Sequence, residues 1–363
     1  QRVLLRGPLW EWRGSSATFI SSQFPGFIGD RHQNLALVIS NLLFSSLTGN
    51  RWVYGLKTSA SFSLSHEKDR WKPVPVMVTK AEALKRCRGM RMGYAPLLSL
   101  LKPAADRGFK RIAVIGIPCQ ICALRALEHK LGFERIFVIG TPCSDNTTTA
   151  NFHAFLDLLS DDPETITYLE FRADFQVELR FKDGRKQEIP FLKLPISKLP
   201  SDIFPLSCRT SVDYTNVLAD ITVGYMVGEG DQWLIVRNER GQELIDLLGD
   251  EVALSNPGEA GKRAGSVAGF VKNTERAAGG LPLRSMPNFL RPVVAWLMPK
   301  IGPRGLEFAR ARVEMKAAET ILHLRRQMPR KMQNMVPEHI WALGEPYGLD
   351  AQQGERRDTE PAD

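Results

Sequence analysis

One hexapeptide occurs twice in this chain with almost the same letters. Val-Ile-Gly-Ile-Pro-Cys occupies residues 114–119, and Val-Ile-Gly-Thr-Pro-Cys occupies residues 138–143, 24 positions later. Each copy is an apolar, β-branched run that stops at Gly-x-Pro and leads into a helical pattern, which predicts two parallel strands with following helices. Neighbouring strands lie about 4.8 Å apart. Cys119 and Cys143 are therefore predicted to lie side by side at the carboxyl ends of these strands, where open α/β sheets bind ligands.

The cysteines around this repeat indicate a redox or metal centre. Each of the two sulfurs opens a predicted helix, where free N–H groups and the helix dipole favour thiolate. Cys122 completes a C-x-x-C with Cys119, and Cys208 follows a β-rich stretch. The C-x-x-C fits an iron-sulfur cluster, a zinc site, a thioredoxin-like dithiol or two core cysteines. A dithiol leaves Cys143 and Cys208 unexplained, zinc explains all four, and the sheet-edge setting favours a cluster.

Composition bounds the remaining choices. Five cysteines in 363 residues, without a pairing pattern, argue for a reducing compartment, and Cys87 is interpreted as a small core residue. With 43% hydrophobic and 24% charged residues, the chain can bury a full core. The net charge of +8 comes partly from basic residues of the carboxyl-terminal third, including Arg312 and Lys316, which predict a solvated helix face or a docking surface for an acidic electron carrier.

Two classes of partner are not predicted. No finger, helix-turn-helix or RNA-binding signature accompanies the positive charge, so nucleic acid is not expected to bind. The most apolar stretch, residues 287–301, is interrupted by Arg291, Pro292, Pro299 and Lys300. It is too short and too polar for an integral membrane segment, and it predicts an amphipathic or buried helix.

The pattern along the chain predicts an α/β fold, a parallel βαβα core with an added antiparallel meander and a helical carboxyl-terminal extension. Alternating apolar and polar residues over 165–171, 175–181 and 186–192, with a turn at Asp183-Gly184, predict the meander. The expected segments are an irregular or truncated lead-in over 1–50, an α/β domain over 51–250, a linker or surface excursion over 251–286, a helical extension over 287–345 and a disordered tail over 346–363.

Three longer runs resemble one known family. They are Gly116-Ile117-Pro118-Cys119-Gln120, Gly140-Thr141-Pro142-Cys143-Ser144-Asp145-Asn146, and the stretch that begins Cys208-Arg209-Thr210-Ser211 and continues to Met226. Together they resemble the coenzyme F420 hydrogenase/dehydrogenase beta-subunit family. Within it, they are most similar to the branch of ferredoxin-dependent divinyl chlorophyllide 8-vinyl reductases and 7-hydroxymethyl chlorophyll a reductases. The likeness covers roughly residues 53–344.

The resemblance implies an FAD beside a [4Fe-4S] cluster in the 51–250 domain. Electrons would pass from a ferredoxin-like donor through the cluster and flavin to a conjugated small-molecule substrate. The family's cluster ligands match Cys119, Cys143, Cys208 and position 211, which is Ser211 here. Serine oxygen is a harder and poorer ligand than thiolate, so the site could be serine-ligated, a three-iron form, or lost. As a further hypothesis, Cys122, one helical turn from Cys119, supplies the missing thiolate.

The resemblance also suggests flavin-binding and proton-donating residues. The candidates to approach the flavin are Arg91, Tyr94, Asn146, Thr147, Thr148, Asn216 and Asp220, with Arg237 and Asn238 at a strand end as candidates for its phosphate or ring oxygens. Helix caps, turns and a surface ion pair explain the same residues without a ligand. Asp145 or His153 is predicted to supply the proton that accompanies hydride transfer. A structural role is the alternative for His153.

Three functions remain open at this point. The first is a flavin and iron-sulfur reductase, which acts on a chlorophyll-like substrate or serves as a coenzyme F420-dependent oxidoreductase subunit. The second is a structural zinc or dithiol module. The third is a degenerate partner subunit that catalyses no reaction. The length of the motif match favours the first, and the last would account for Ser211 and the lack of an amino-terminal cysteine-rich motif. The expected partners are a ferredoxin-like donor and the substrate, and a homo-oligomer is left open. The expected compartment is the cytoplasm, or the plastid stroma in a photosynthetic eukaryote.

Overall fold

The computed structural model describes residues 18–21, 54–57, 71–78, 90, 92–172, 174–225, 232–248, 253–255 and 259–357. The strands are β1 Thr18–Ser21, β2 Tyr54–Lys57, β3 Val76–Val78, β4 Arg111–Gly116, β5 Arg135–Gly140, β6 Ile166–Phe171, β7 Gln176–Phe181, β8 Lys186–Pro190, β9 Ile221–Tyr225, β10 Gln232–Val236, β11 Ala253–Ser255, β12 Glu259–Ala260 and β13 Arg304–Gly305. The α-helices are α1 Leu101–Asp106, α2 Pro118–Leu127, α3 Thr149–Asp157, α4 Leu206–Arg209, α5 Glu239–Leu248, α6 Arg263–Arg276, α7 Leu290–Ile301, α8 Leu306–Gln327, α9 Met332–Met335 and α10 Glu338–Gly344.

The main sheet has the order β11-β1-β10-β9-β5-β4-β2-β3. Its centre, β9-β5-β4-β2, is parallel, and the flanking strands pair antiparallel. The repeated hexapeptides lie on β4 and β5, which pair in register from Arg111 with Arg135 to Gly116 with Gly140. The predicted pair of parallel strands is confirmed, and equivalent residues of the two hexapeptides lie beside each other. Residues 18–21 of the predicted irregular lead-in form β1 of this sheet.

The antiparallel meander is also confirmed. Strands β6, β7 and β8 form a separate sheet in that order. Helix α3 places Phe152 and Phe155 against it, where they pack with Leu169 and Leu179 in one buried cluster. Apolar residues at helical spacing on α3 and at alternate positions of the strands account for this core.

The carboxyl-terminal region is more extensively ordered than the sequence suggests. The predicted linker contains α6, whose Val267 and Val271 pack with Ile321 of α8. Part of the predicted disordered tail is packed too, since Leu349 is buried and Glu355 pairs with Arg325 of α8. In α6, Ala, Gly and charged residues interrupt the helical spacing of the apolar residues. The tail is held by contacts with residues distant in the sequence, so neither segment could be recognised from its local sequence. No helix among the described residues is long and apolar enough to cross a membrane.

Candidate functional site

The two strand-end turns place the first two cysteines. Cys119 is the second residue of α2, directly after β4, and its side chain is exposed. Cys143 follows β5 and is half-buried, and its N–H donates to the carbonyl of Tyr214 at 3.0 Å. A Cβ at Gly140, the last residue of β5, would lie 2.7 Å from the Cβ of Ala219. The loop that precedes β9 therefore approaches this turn as closely as glycine allows.

Asn216 holds the two turns together. It is fully buried, and its backbone adopts a φ of 62°. Its Nδ2 donates to the carbonyl of Gly116 at 2.8 Å and to that of Thr141 at 3.4 Å. Both acceptors belong to the Gly-x-Pro-Cys turns, so one side chain fixes the spacing of the two cysteine-bearing loops.

Cys208, on the short helix α4, completes a group of three converging thiols. Desolvation raises the pKa of Cys143 and Cys208 and also that of Cys119, which is only partly covered by the protein, and the charge of Cys119 adds to the shift at the other two. The backbone N–H of Asn146 hydrogen-bonds to the Cys208 thiol and opposes the rise in the Cys208 pKa. The structure therefore brings together three of the four thiols that the sequence singled out.

The two candidates for a fourth ligand lie on different elements beside this group. Cys122 is exposed on α2, and its charge raises the pKa of Cys119. Ser211 follows α4, where its N–H donates to the carbonyl of Cys208 at 3.2 Å. Within the described residues, no three His, Cys, Asp or Glu side chains are arranged to bind a single metal ion. A cluster holds its thiolates at separate corners of a cube, which is a wider arrangement than ligands around one ion.

Two cationic side chains of helix α8 contact the loops that carry the thiols. Lys316 is buried, and its Nζ donates to Asp145 Oδ1 at 2.9 Å and to the carbonyl of Cys208 at 2.6 Å. Arg312, one turn earlier, donates to Ser144 Oγ at 2.6 Å. The prediction that these two residues lie on a solvated or partner-docking helix face is wrong, because α8 presents them to the sheet edge. Neither residue was predicted to belong to the site, although their spacing of four residues places them on one helix face.

A chain of ionisable groups continues along α8 from Lys316. Lys316 Nζ lies 3.0 Å from Glu319 Oε2, and His323 Nε2 lies 3.9 Å from Glu319 Oε1. Burial, together with the charge of Asp145, raises the pKa of Glu319 to about 7, and burial lowers the pKa of His323 to about 4. Burial also opposes the charge of Lys316, but Asp145 and Glu319 outweigh it and raise the Lys316 pKa. His323 lines an open cleft of about 320 Å³ that includes none of the predicted site residues.

Several flavin candidates have hydrogen-bond partners within the protein. Asn146 exchanges hydrogen bonds with the backbone of Gly93, donating at 2.8 Å and accepting at 2.9 Å. The Thr147 hydroxyl donates to the carbonyl of Ile203, and Thr148 caps α3 by accepting from Asn151 N–H at 3.1 Å. These hydrogen bonds match the alternative in which the same residues cap helices and stabilise turns without binding a ligand. Arg91, the first candidate, lies outside the described residues.

Asp220 and Asn238 belong to a second internal network. The fully buried Asp220 accepts from Val138 N–H at 2.7 Å, from Arg125 at 2.7 Å and from Arg240 at 3.0 Å. Asn238 donates to Asp220 at 2.8 Å and caps α5 by accepting from Gly241 N–H. This network joins α2, β5, β9 and α5, and so supports the sheet behind the thiol edge.

Three buried polar atoms near the thiol edge have no partner among the described residues. They are Asn216 Oδ1, Arg237 Nε and Asp213 Oδ1. Arg237 Nη2 donates to the Thr215 carbonyl at 2.9 Å, and burial lowers the Arg237 pKa to about 10. Asp213 was missed in the sequence, although it lies two positions after Ser211. Unpartnered buried atoms are rare and call for an explanation, of which a bound ligand is one.

Tyr94, Asp145 and His153 complete the predicted site. Tyr94 is 53% exposed, and its hydroxyl hydrogen-bonds to Cys208. Asp145 lies two residues after Cys143 and is paired with Lys316. His153 is half-buried in α3. The structure thus brings Tyr94 and Asp145 to the thiols.

A mixed sheet whose parallel centre ends in three converging thiols, with two cations of one helix and unpartnered polar atoms beside them, makes this chain an α/β protein with a candidate redox or metal site. Residues 60–102 match the profile of the coenzyme F420 hydrogenase/dehydrogenase beta-subunit amino-terminal region, and residues 109–257 match that of its carboxyl-terminal region. The chain belongs to the coenzyme F420 hydrogenase/dehydrogenase beta-subunit family, as its sequence motifs predicted.

Individual relatives extend this assignment. An uncharacterized protein of Nostoc sp. is 34% identical over 308 residues, which cover 85% of this chain and 76% of that protein. The chloroplastic 7-hydroxymethyl chlorophyll a reductase of Oryza sativa is 33% identical over 297 residues, 79% of this chain and 63% of the reductase. One subunit of the F(420)H(2) dehydrogenase of Methanosarcina mazei is 30% identical over 51% of this chain and 52% of its own length. This chain thus spans less than two thirds of the two named enzymes, both of which are oxidoreductases.

A solved structure shares the fold. A chain of the F420-reducing [NiFe] hydrogenase complex from Methanosarcina barkeri superposes with a TM-score of 0.51 and 17% identity, over 66% of this chain and 80% of that one. At this identity the likeness concerns the fold, and it agrees with the predicted α/β architecture.

Proposed function

We propose that this protein is an iron-sulfur flavoprotein that takes electrons from a ferredoxin-like donor and delivers them to a conjugated substrate of the chlorophyll-precursor type. The observation that carries the proposal is the convergence of Cys119, Cys143 and Cys208 at the carboxyl edge of the parallel sheet. The rice chlorophyll reductase, which is similar over 79% of the chain, supports the substrate class. Such a substrate would place the protein in a bacterial cytoplasm or a plastid stroma.

The thiols and their surroundings fit an iron-sulfur cluster. Burial raises the pKa of all three cysteines, so free thiols there are neutral, whereas metal coordination deprotonates a thiol outright. Lys316 and Arg312, which already lie against the loops of Cys143 and Cys208, would offset part of the negative charge of the thiolates. Bound at this edge, the cluster and flavin would supply the electron and hydride chemistry.

The unpartnered polar atoms fit a flavin beside the thiols. Asn216 Oδ1 offers an acceptor and Arg237 Nε offers a donor, and each is buried without a partner among the described residues. A buried unsatisfied group costs about 1–3 kcal/mol, which a ligand's ring or phosphate atoms would offset. Tyr94 adds an exposed aromatic ring next to Cys208. The two proposed proton donors are Asp145, which accepts a hydrogen bond from Lys316 Nζ beside the thiols, and His153 on α3.

A second candidate is a coenzyme F420-dependent oxidoreductase subunit. Its support is the similarity to the Methanosarcina mazei dehydrogenase over half the chain. The same thiols and polar atoms would serve, and only the two-electron partner would differ. Reduction of the purified protein by reduced ferredoxin, tested in parallel with reduced coenzyme F420, separates the two candidates.

The test is a spectrum with cofactor analysis on full-length protein purified without oxygen. We expect bands of flavin over a cluster absorption that bleaches on reduction, with about four iron and four sulfide per chain. Cys143→Ala and Cys208→Ala should each lose the iron, while Ser207→Ala, at the exposed neighbour of Cys208, should retain it. Zinc in place of iron would instead support the structural module, and a colourless, metal-free protein would support the degenerate subunit.

The identity of the fourth ligand follows from two further variants. Cys122 lies on α2 within electrostatic reach of Cys119, and thiolate binds iron more strongly than a serine oxygen. We therefore expect Cys122→Ala to lower the iron content and change the electron paramagnetic resonance signal of the reduced protein, and Ser211→Ala to leave both unchanged. The reverse pattern would identify Ser211 as the ligand.

A further inference from the structure

Helix α7 exposes a continuous apolar face. Its members are Phe289, Leu290, Val293, Trp296 and Ile301, and we call this set the α7 face. Phe289 is 76% exposed and Trp296 is 63% exposed, which is unusual for side chains of this size. The spacing of three to five residues from Leu290 to Ile301 places them along one side of the helix. Clustered exposed apolar residues of this kind mark an interaction surface.

The opposite side of α7 is fixed to the protein. Arg291 and Ala295 are buried there, and the Arg291 guanidinium donates to the carbonyl of Leu283. The helix packs beside the turn Phe191–Lys193 that follows the meander. The α7 face therefore points outward from a rigid support, and its exposure is a property of the folded chain.

The segment that carries the α7 face has charges of one sign. Residues 277–306 contain no Asp or Glu, but they contain Arg284, Arg291, Lys300 and Arg304. Arg284, Lys300 and, on the adjacent turn, Lys193 are exposed. Lys300 Nζ lies 3.5 Å from the centre of the Trp296 ring, so a cation and an indole occupy the same edge of the face. The apolar stripe is thus bordered by exposed positive charge.

We propose that the α7 face docks the protein onto an anionic lipid bilayer, with the helix lying in the plane of the interface. Trp, Phe and Leu on one side with Lys and Arg beside them are typical of interfacial helices, and anionic headgroups complement the cations. The 12 residues of α7 span about 18 Å, well short of the roughly 30 Å hydrocarbon core. A second copy would bring the acid-free segments of two chains together, where like charges repel.

Docking would place the protein where a lipophilic substrate is dissolved. Chlorophyll-type molecules partition into bilayers, so the α7 face would bring the thiol edge close to their source. This link to substrate rests on the proposed function. The docking itself depends only on residues of α7 and its neighbours.

The test is flotation of the full-length protein with vesicles of phosphatidylglycerol and phosphatidylcholine in equal parts, and with phosphatidylcholine alone. We expect binding to the mixed vesicles that weakens with added salt. Trp296→Ala should weaken binding at least about tenfold through lost apolar contact, and Lys300→Gln about fivefold through lost charge. Leu127→Ala, at an exposed apolar position of α2, is the matched control and should bind like the wild type.

Several results would overturn this proposal. Failure of the wild type to float, or equal binding by wild type and Trp296→Ala, would exclude docking through the α7 face. Sedimentation showing a wild-type dimer that Trp296→Ala dissociates would assign the face to a second copy instead. Unchanged thermal unfolding of the variants verifies that they fold. Vesicle binding needs neither cluster nor flavin, so its failure and the failure of the proposed function are distinguishable.

Discussion

Asn216 shows how a single residue sets the geometry of the site. It is fully buried with a φ of 62°, and it bonds to the carbonyls of both cysteine-bearing turns. Asparagine tolerates this left-handed conformation, whereas alanine does so at a cost of about 1–2 kcal/mol. Asn216→Ala also removes the amide bonds to both turns, although the Gly116 carbonyl keeps the Thr141 N–H as a donor. We expect the free energy of unfolding, measured by urea denaturation, to fall by about 2–4 kcal/mol.

Asn216→Gly is the matched control for this prediction. It removes the same amide but adopts a positive φ without steric strain. The glycine variant should therefore be more stable than the alanine variant by about 1 kcal/mol. Equal unfolding free energies for the two variants would contradict a role for the backbone conformation at this position.

Residues differ in how far their roles can be predicted from sequence. The cysteines could be singled out because neighbouring letters repeat around Cys119 and Cys143. Lys316 could not, since its partners Asp145 and Cys208 lie 171 and 108 positions away. Asn146 and Asp220 were proposed to approach a flavin, and the structure gives both internal hydrogen-bond partners. Local sequence does not distinguish a polar residue that caps a helix or hydrogen-bonds to another loop from one that binds a ligand.

At the scale of elements, predictability follows the range of the interactions. The β4 and β5 repeat predicted adjacent parallel strands, and the in-register pairing follows because the same pattern buries both strands. Helix α6 was interpreted as linker because its buried Val267 and Val271 are separated by small and polar residues. Its stability comes from packing against α8, which no local pattern records.

The meander contains an element-level pH dependence. Glu170 of β6 and Glu178 of β7 face each other and are both buried. Burial raises the pKa of Glu170 from 4.5 to about 7, with the Tyr168 hydroxyl opposing and the charge of Glu178 adding to the shift. The folded protein thus keeps a proton that the unfolded chain has already released between those values. The stability that the protonated Glu170 contributes is therefore fully present below about pH 4.5 and is lost as the pH rises through 7.

Glu170→Gln tests this dependence. A neutral amide cannot ionise, so the variant should lose less stability than the wild type between pH 5 and pH 8, by up to about 3 kcal/mol. Urea denaturation at the two pH values measures the difference. Glu134→Gln, at an exposed position outside this sheet, should retain the wild-type decline. An unchanged decline in Glu170→Gln would show that another group is responsible.

For the whole molecule, α8 makes the carboxyl-terminal helices part of the site. Its 22 residues pack through Ile321 and Leu324 against α6 and α10, and Lys316 reaches the loops of Cys143 and Cys208 from the same helix. A helical extension that the sequence placed outside the α/β domain therefore holds the loops at the thiol edge. This arrangement predicts that the two regions unfold together.

Lys316→Met tests this coupling. The variant leaves the carboxylates of Asp145 and Glu319 without their shared cation, and breaking a buried ion pair costs about 3–5 kcal/mol. Adding Glu319→Gln replaces a buried carboxyl, whose pKa burial already raises, with a neutral amide and should restore part of that stability. Lys331→Met, at an exposed lysine after α8, should have no measurable effect. Urea denaturation followed by both tryptophan fluorescence and circular dichroism should give one coincident transition in every variant. A Lys316→Met stability within error of the wild type, or two separate transitions in the wild type, would contradict the coupling of the helical region to the thiol edge.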